Sequence, residues 1–494
     1  MRQTNRAFLV VLAAALALHC GGQGKRLAKP ARSVLWVTSG TEPSFAELTN
    51  IEPFGISETF VEAGRLSWQG TAPSVAPLPL PSLASRRSVT LVLRGVWASG
   101  ELDAAGTARA LARSFEAMAG AARAKNLDAI GLHLDVDAGE SLRSLATTAA
   151  ELRKQLDPKV YLSATLSRRV LASEEAKALA KAVDFVVAFL YGRRPGESDD
   201  KAAWDLEKVE AGMKRLEELD RPYLLGVVTV GRAFHLDRGG QALAETTRLK
   251  LSDLAHNEAL ELASGFSLEG IDRVVYTFRA KVPTRVGDWR VEPQQGVRVV
   301  GLTTHYIEEL ERRLGALGLD HFLGTAYYRY VSPEEGLSMS LANLAQARSA
   351  EAPPIGLKVY REGEGGSASR PRFRVVVENP GDDRTDILFL GNNFVEVEVS
   401  GGTIAKVDPG AFRRYELLRR TEDGELERDY REARVLRLFT PMLDRRDRRE
   451  SGAIEIVGKG AAPKIAIRAS FVVPGGEVWE AVEEEPAPEG KPGG

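Results

Sequence analysis

The 494-residue sequence has one cysteine, six histidines and almost no excess charge, with 66 lysines and arginines against 68 aspartates and glutamates. A single cysteine excludes an intramolecular disulfide, so packing must hold the fold together. The near balance of charge leaves no field that would favour nucleic acid or an anionic membrane surface. The histidines show no spacing, with one another or with carboxylates, that argues for zinc. "VTVGRAF" (228–234) has only one glycine before its arginine and is no phosphate-binding loop. No metal and no cofactor is therefore expected. What is present is ordinary for a globular chain, 44% hydrophobic and 27% charged. Its length calls for two or more cores.

The N-terminus differs from the rest. Arg2 and Arg6 precede an apolar run at 7–18, which is short for a membrane span and suits the centre of a secretion signal. Cys20 falls where that run ends. Ala17-Leu18-His19-Cys20 resembles the lipobox of bacterial lipoproteins, in which the cysteine is acylated and becomes the new N-terminus. His19 stands where that motif has a small residue. The other reading is cleavage after Ala15-Leu16-Ala17, which leaves a secreted protein with a spare thiol. The expected layout is a signal peptide at 1–20 lipidated at Cys20, a basic tether at 21–32, and a chain anchored by lipid in the bacterial cell envelope.

From 33 to 350 the pattern alternates strand and helix. "SVLWVTSG" (33–40), "SVTLVLRGVW" (88–97), "LDAIGLHLDVD" (127–137), "KVYLSATLS" (159–167), "VDFVVAFLYG" (183–192), "RPYLLGVVTVG" (221–231), "IDRVVYTFR" (271–279) and "HFLGTAYYRY" (321–330) read as strands. The proline-rich stretch at 71–81 reads as irregular. Strands rich in Val, Leu and Ile between amphipathic helices predict a parallel sheet, and this many units predict a closed (β/α)8 barrel. After "EAPP" (351–354), short alternating strands between Gly, Asn and Pro turns predict an antiparallel β-sandwich over 355–478. The charge-dense segment 421–449 reads as a solvated excursion, and 479–494 as a disordered tail.

The segment most informative about chemistry is "GLHLDVDAGES" (131–141). His133, Asp135 and Asp137 alternate with Leu132, Leu134 and Val136, the signature of a strand with two different faces. In a sheet covered on both sides, such a polar face is tolerable only where it lines a cavity. Residues two apart on a strand lie about 6.6 Å apart and point the same way. Mutual repulsion and partial desolvation would then raise the pKa of one aspartate, as an acid catalyst requires. Plainer roles compete. Asp137 lies three residues before Glu140 in a capping-box arrangement, and His133 can be an interior histidine bonded to Asp135. Arg94 and Arg329, near the ends of their strands, can serve as counter-ions or merely neutralise a polar core.

"GLHLDVD" also resembles the strand-four motif D-G-x-D-x-D-x-E of family 18 glycoside hydrolases, the chitinase-like barrels. Asp137 matches its final acid, Asp135 the middle aspartate, His133 the earlier one and Gly131 the glycine, while Ile130 replaces the first aspartate. In "AFLYG", Tyr191 matches the tyrosine of M-x-Y-D and Gly192 replaces its acid. A closer likeness is to a bacterial envelope family of unknown function with a G-[LV]-x-[LI]-D-x-D-A strand motif. The resemblance implies that Asp137, Asp135 and Tyr191 are the catalytic set, with Asp135 orienting a substrate acetamido group that acts as nucleophile. It also implies that Trp36, His133, Arg94, Tyr327 and Arg329 line a sugar site. Two functions stay open: a barrel that binds and hydrolyses a glycan, and a non-catalytic envelope protein whose sandwich meets a protein partner.

Overall fold

The computed structural model describes residues 32–483, apart from 42, 44–47, 49–50, 82–86, 101, 191–205, 269–270, 303, 331–335, 350–355, 382–383, 386–392 and 474–477. Eight strands close into a barrel: β1 (Arg32–Val37), β2 (Ile56–Gln69), β3 (Arg87–Val96), β4 (Leu127–Asp137), β5 (Tyr161–Ser167), β6 (Phe185–Phe189), β7 (Tyr223–Val228) and β8 (Phe322–Tyr328). Each pairs in parallel with the next, and β8 pairs in parallel with β1. Helices α1 (Ala104–Arg123), α2 (Leu142–Gln155), α3 (Glu174–Ala182) and α4 (Leu206–Glu217) alternate with strands β3 to β7. Among the described residues, no helix is long and apolar enough to cross a membrane.

Period-two alternation explains the layering. On β4, Leu132, Leu134 and Val136 join Leu91 and Leu93 of β3 in the cluster packed beneath the helices. The opposite strand faces fill the lumen with Val34, Trp36, Phe60, Val92, Phe185, Val187, Leu224 and Ala326. Helix α1 shows how the outer layer forms. Asp103 caps it by accepting from the Gly106 amide at 3.0 Å. Its residues Ala108, Leu111, Phe115, Met118 and Ala122 then fall on one buried face, and full burial of each larger side chain is worth roughly 1.5–3 kcal/mol.

Two strand assignments change. β2, with its antiparallel return arm Ala72–Pro77, occupies a region left out of the strand count and partly read as irregular. Its lumen positions carry Glu58 and Glu62, which interrupt the apolar run that would have marked a buried strand. Conversely, Ile271–Ala280 is not a barrel strand. It pairs antiparallel with Leu260–Leu268 and Gly296–Leu302 in a five-stranded sheet inserted between β7 and β8. Its Val-rich composition reflects burial on both faces, Val275 toward the barrel cluster and Tyr276 and Phe278 toward the insertion's own core.

The insertion also carries helix α5 (Leu251–Ala255), and α6 (Thr304–Ala316) and α7 (Leu341–Ser349) flank β8. Beyond α7, two antiparallel sheets share one apolar cluster that includes Val359, Val375, Val397, Leu436, Ile456 and Phe471. The segment read as a solvated excursion contributes the strand Val435–Phe439 to that core, with Leu436 and Leu438 buried. Its charges lie on the other face, where Arg437 donates to Glu396 across the sheet at 2.7 Å. The final strand, Val478–Val482, extends the second sheet into what was read as tail.

Candidate functional site

Register places the lumen side chains in rows. Glu62, Val92 and His133 are lateral neighbours on β2, β3 and β4; above them Arg94 stands beside Asp135; at the rim Val96 stands beside Asp137. Trp36 of β1 is the centre of an aromatic floor. Its ring lies 5.4 Å from Phe60, 5.1 Å from His133, 6.0 Å from Phe189 and 5.3 Å from Tyr328.

His133 is fully buried with both ring nitrogens engaged, Nδ1 with Ser163 Oγ and Nε2 with Thr165 Oγ1, each at 2.9 Å. Burial pushes its pKa down to about 3, so the ring is neutral. It reaches Asp135 only through Thr165, whose hydroxyl donates to Asp135 Oδ1 at 2.9 Å. Because that hydroxyl spends its proton on the carboxylate, it accepts from His133 Nε2–H. Nδ1 must then accept from Ser163. The expected direct bond between His133 and Asp135 is thus replaced by a threonine relay, in which the carboxylate sets the tautomer.

Asp135 is one-fifth exposed, and its Oδ2 lies 3.7 Å from Arg94 Nε. Burial raises its pKa; the Thr165 bond and the Arg94 charge work against this, and Glu62 adds to it. Arg94 is half-exposed. Its Nη1 donates to the Tyr328 hydroxyl at 3.0 Å and lies 3.7 Å from Glu62 Oε1. Glu62 accepts a hydrogen bond from the Ser39 amide, just past the end of β1, at 3.0 Å. Asp137 is exposed, and its Oδ1 accepts from the Gly139 amide at 3.2 Å. The expected capping box does not form, since α2 is preceded by Ser141 at its N-cap with no side-chain cap bond. Asp137 instead closes a turn of its own.

The remaining sequence-derived candidates separate. Tyr327 is buried on the outer face of β8, where its hydroxyl donates to Glu311 and accepts from Arg348. The next residue, Tyr328, takes the lumen position, as period two requires. Arg329 donates to the carbonyl of Tyr330 at 3.4 Å, and the guanidinium 3.7 Å from Asp135 is that of Arg94. Tyr191, Gly192 and Cys20 lie outside the described residues. Among the described residues no group of His, Cys, Asp and Glu could hold a metal ion. The residues that sequence reasoning missed are Glu62 and Thr165; of the tyrosine pair Tyr327 and Tyr328, both able on sequence to floor a sugar subsite, the structure puts Tyr328 in the lumen. Thr165 was legible, since Ser163, Thr165 and Ser167 alternate with Leu162, Ala164 and Leu166 in the same way as the strand-four triad.

The arrangement joins an aromatic floor to a rim bearing one carboxylate with a raised pKa and one guanidinium. Trp36 and Phe60 are buried beneath this rim, so a sugar ring would meet the half-buried Tyr328 and Phe189, with Arg94 and Asp135 placed for its hydroxyls. Neither a known protein family nor a curated protein matches the sequence. Among solved structures, the chain is similar to the spore cortex-lytic enzyme SleL of Bacillus cereus at 14% identity, covering 65% of this chain and 74% of that one with a TM-score of 0.42. It is similar to a chitinase of Chromobacterium violaceum at 15% identity, with 65% and 99% coverage and a TM-score of 0.43. A class V chitinase of Pseudomonas fluorescens gives 14% identity, 65% and 100% coverage, and 0.42. At such values the likeness says nothing of chemistry, and the barrel is established by its own strand order and register.

Proposed function

We propose that this chain is an exported, lipid-anchored envelope protein whose barrel mouth binds a glycan without hydrolysing it by the chitinase route. The observation that carries the reading is the row formed by Arg94, Asp135 and Tyr328 above the Trp36 floor, where polar groups with some exposure converge on buried aromatic rings. Hydrolysis by that route needs an acid held over the glycosidic oxygen. Asp137 is one methylene shorter than the motif's glutamate, and its carboxylate is turned back to the Gly139 amide. A misplacement on the order of 1 Å can cost a hundredfold in rate. The same observation favours the second reading, an envelope interaction protein that binds through its sandwich.

Calorimetric titration of the chain with chito-oligosaccharides separates the two. The expected result is binding that Asp135→Ala weakens at least roughly tenfold, the loss of about one charge-assisted hydrogen bond. Binding that ignores Asp135→Ala would move the site to the sandwich. For the anchor, Cys20→Ser is expected to release the full chain from the membrane fraction of a bacterial host, and retention there would count against lipidation.

A further inference from the structure

The two strands on one side of the mouth carry a second guanidinium. The register between β2 and β3 shifts between Glu62 and Gly64, a bulge that leaves Ala63 unpaired. Below the bulge, Phe60 points into the lumen, and above it Arg65 stands directly opposite Arg94. The glycines confirm the parity. A Cβ on Gly64 would come within 2.7 Å of Leu93 Cδ2 and 3.0 Å of Met118 Sδ, both on the helix side. A Cβ on Gly95 would likewise meet Leu66, another residue of the helix-side cluster. Arg65 and Arg94 therefore share the mouth face.

The two charges differ: Arg65 is unpaired among the described residues, while Arg94 is shared between Glu62 and Asp135. Arg65 is exposed, and no hydrogen bond or ion pair joins it to another described residue. Arg94 is 47% exposed. Its two carboxylate neighbours stand at 3.7 Å, beyond hydrogen-bond reach, and its Nη2 engages no described residue. The Tyr328 hydroxyl fixes the orientation of Arg94 through Nη1. Asp135 and Asp137 lie on the β4 side of the mouth, and Glu62 lies one row below Arg94, so the exposed cationic group over β2 is Arg65, with Arg94 beside it.

Resting on the glycan-binding reading above, we infer that the glycan is acidic, with a sugar carboxylate seated between Arg65 and Arg94. A planar guanidinium meets a carboxylate with two parallel N–H donors, and an oriented one loses less freedom in doing so. The sugar's hydroxyls would then face Asp135 and Asp137. The carboxylate can belong to a hexuronate or to a lactyl ether on an amino sugar.

Both sources are tested by titrating the chain with trigalacturonate and with an N-acetylglucosamine–N-acetylmuramic acid disaccharide, each beside its methyl ester. Chitotetraose serves as the neutral reference. One free acid is expected to bind roughly tenfold tighter than its ester, and the acid that does so identifies the source. Arg65→Gln is expected to abolish the preference while leaving the melting temperature unchanged, because Arg65 is exposed and has no hydrogen bond or ion pair with a described residue. Equal binding of acid and ester overturns the inference and leaves the glycan reading standing. So does an acid preference that survives Arg65→Gln. If no sugar of any kind binds, both fall.

Discussion

Glu311→Leu is expected to destabilise the protein by about 3–5 kcal/mol, the cost of leaving a charge buried without its partner. Glu311 and Arg348 have side chains only 4% and 1% exposed and meet at 2.9 Å between the barrel and helices α6 and α7. Arg348 Nη1 also lies within reach of Ser33 of β1 and of Thr325 and Tyr327 of β8, so the pair sits across the seam where first and last strands close the barrel. The two halves are not equivalent. Burial raises the pKa of Glu311, although Arg348 and Tyr327 oppose the shift, so without its partner the carboxyl can take up a proton. Arginine cannot shed one, and Arg348 Nε and Nη2 already lack partners. Arg348→Met should therefore cost less than Glu311→Leu, and the double variant should recover part of the loss. Chemical denaturation of the three variants measures this. A loss below about 1 kcal/mol for Glu311→Leu would show that the seam does not depend on the pair.

His133 gives the second large effect. In the folded protein its pKa is lowered from an ordinary 6.5 to about 3, so the unfolded chain binds a proton that the native state refuses. The stabilisation is fully present above pH 6.5 and is lost as pH falls from there toward 3. Between pH 7 and pH 4.5 that loss is about 2–3 kcal/mol. Asp135 acts in the opposite sense: its raised pKa penalises the folded state at neutral pH, and the penalty eases on acidification. Comparison with His133→Gln isolates the histidine, since glutamine can bond without titrating in this range. The variant should lose less stability than wild type over this interval. Parallel stability curves from pH 7 to 4.5 would mean that His133 is charged in the native protein.

The parts of the fold legible in the sequence were those where one face of a strand is apolar throughout. β3, β4, β5 and β6 follow that rule, and the His-Asp-Asp alternation of β4 correctly put those side chains on the lumen face. β2 escaped because its inward residues include two glutamates. Their partners, Thr90 for Glu58 and Ser39 for Glu62, come from other parts of the chain. The site was half legible for a related reason. Alternation reveals which face a residue is on, so Arg94 and Asp135 could be paired in advance. It does not say where the count starts in a tyrosine pair, so Tyr327 and Tyr328 are equal candidates until register puts Tyr328 in the lumen and Tyr327 outside. The threonine between His133 and Asp135 and the bulge that turns Arg65 toward the mouth are contacts between strands. They exist only once register is set.

The central claim is that the barrel mouth, and not the sandwich, holds the sugar. A crystal of the chain soaked with chitotetraose tests it most directly. The predicted result is a pyranose ring at the mouth in contact with Tyr328, with a hydroxyl bonded to Asp135 and a substituent within reach of Arg94. A sugar seated on the sandwich sheets, with the Arg94–Tyr328 bond undisturbed, would contradict it.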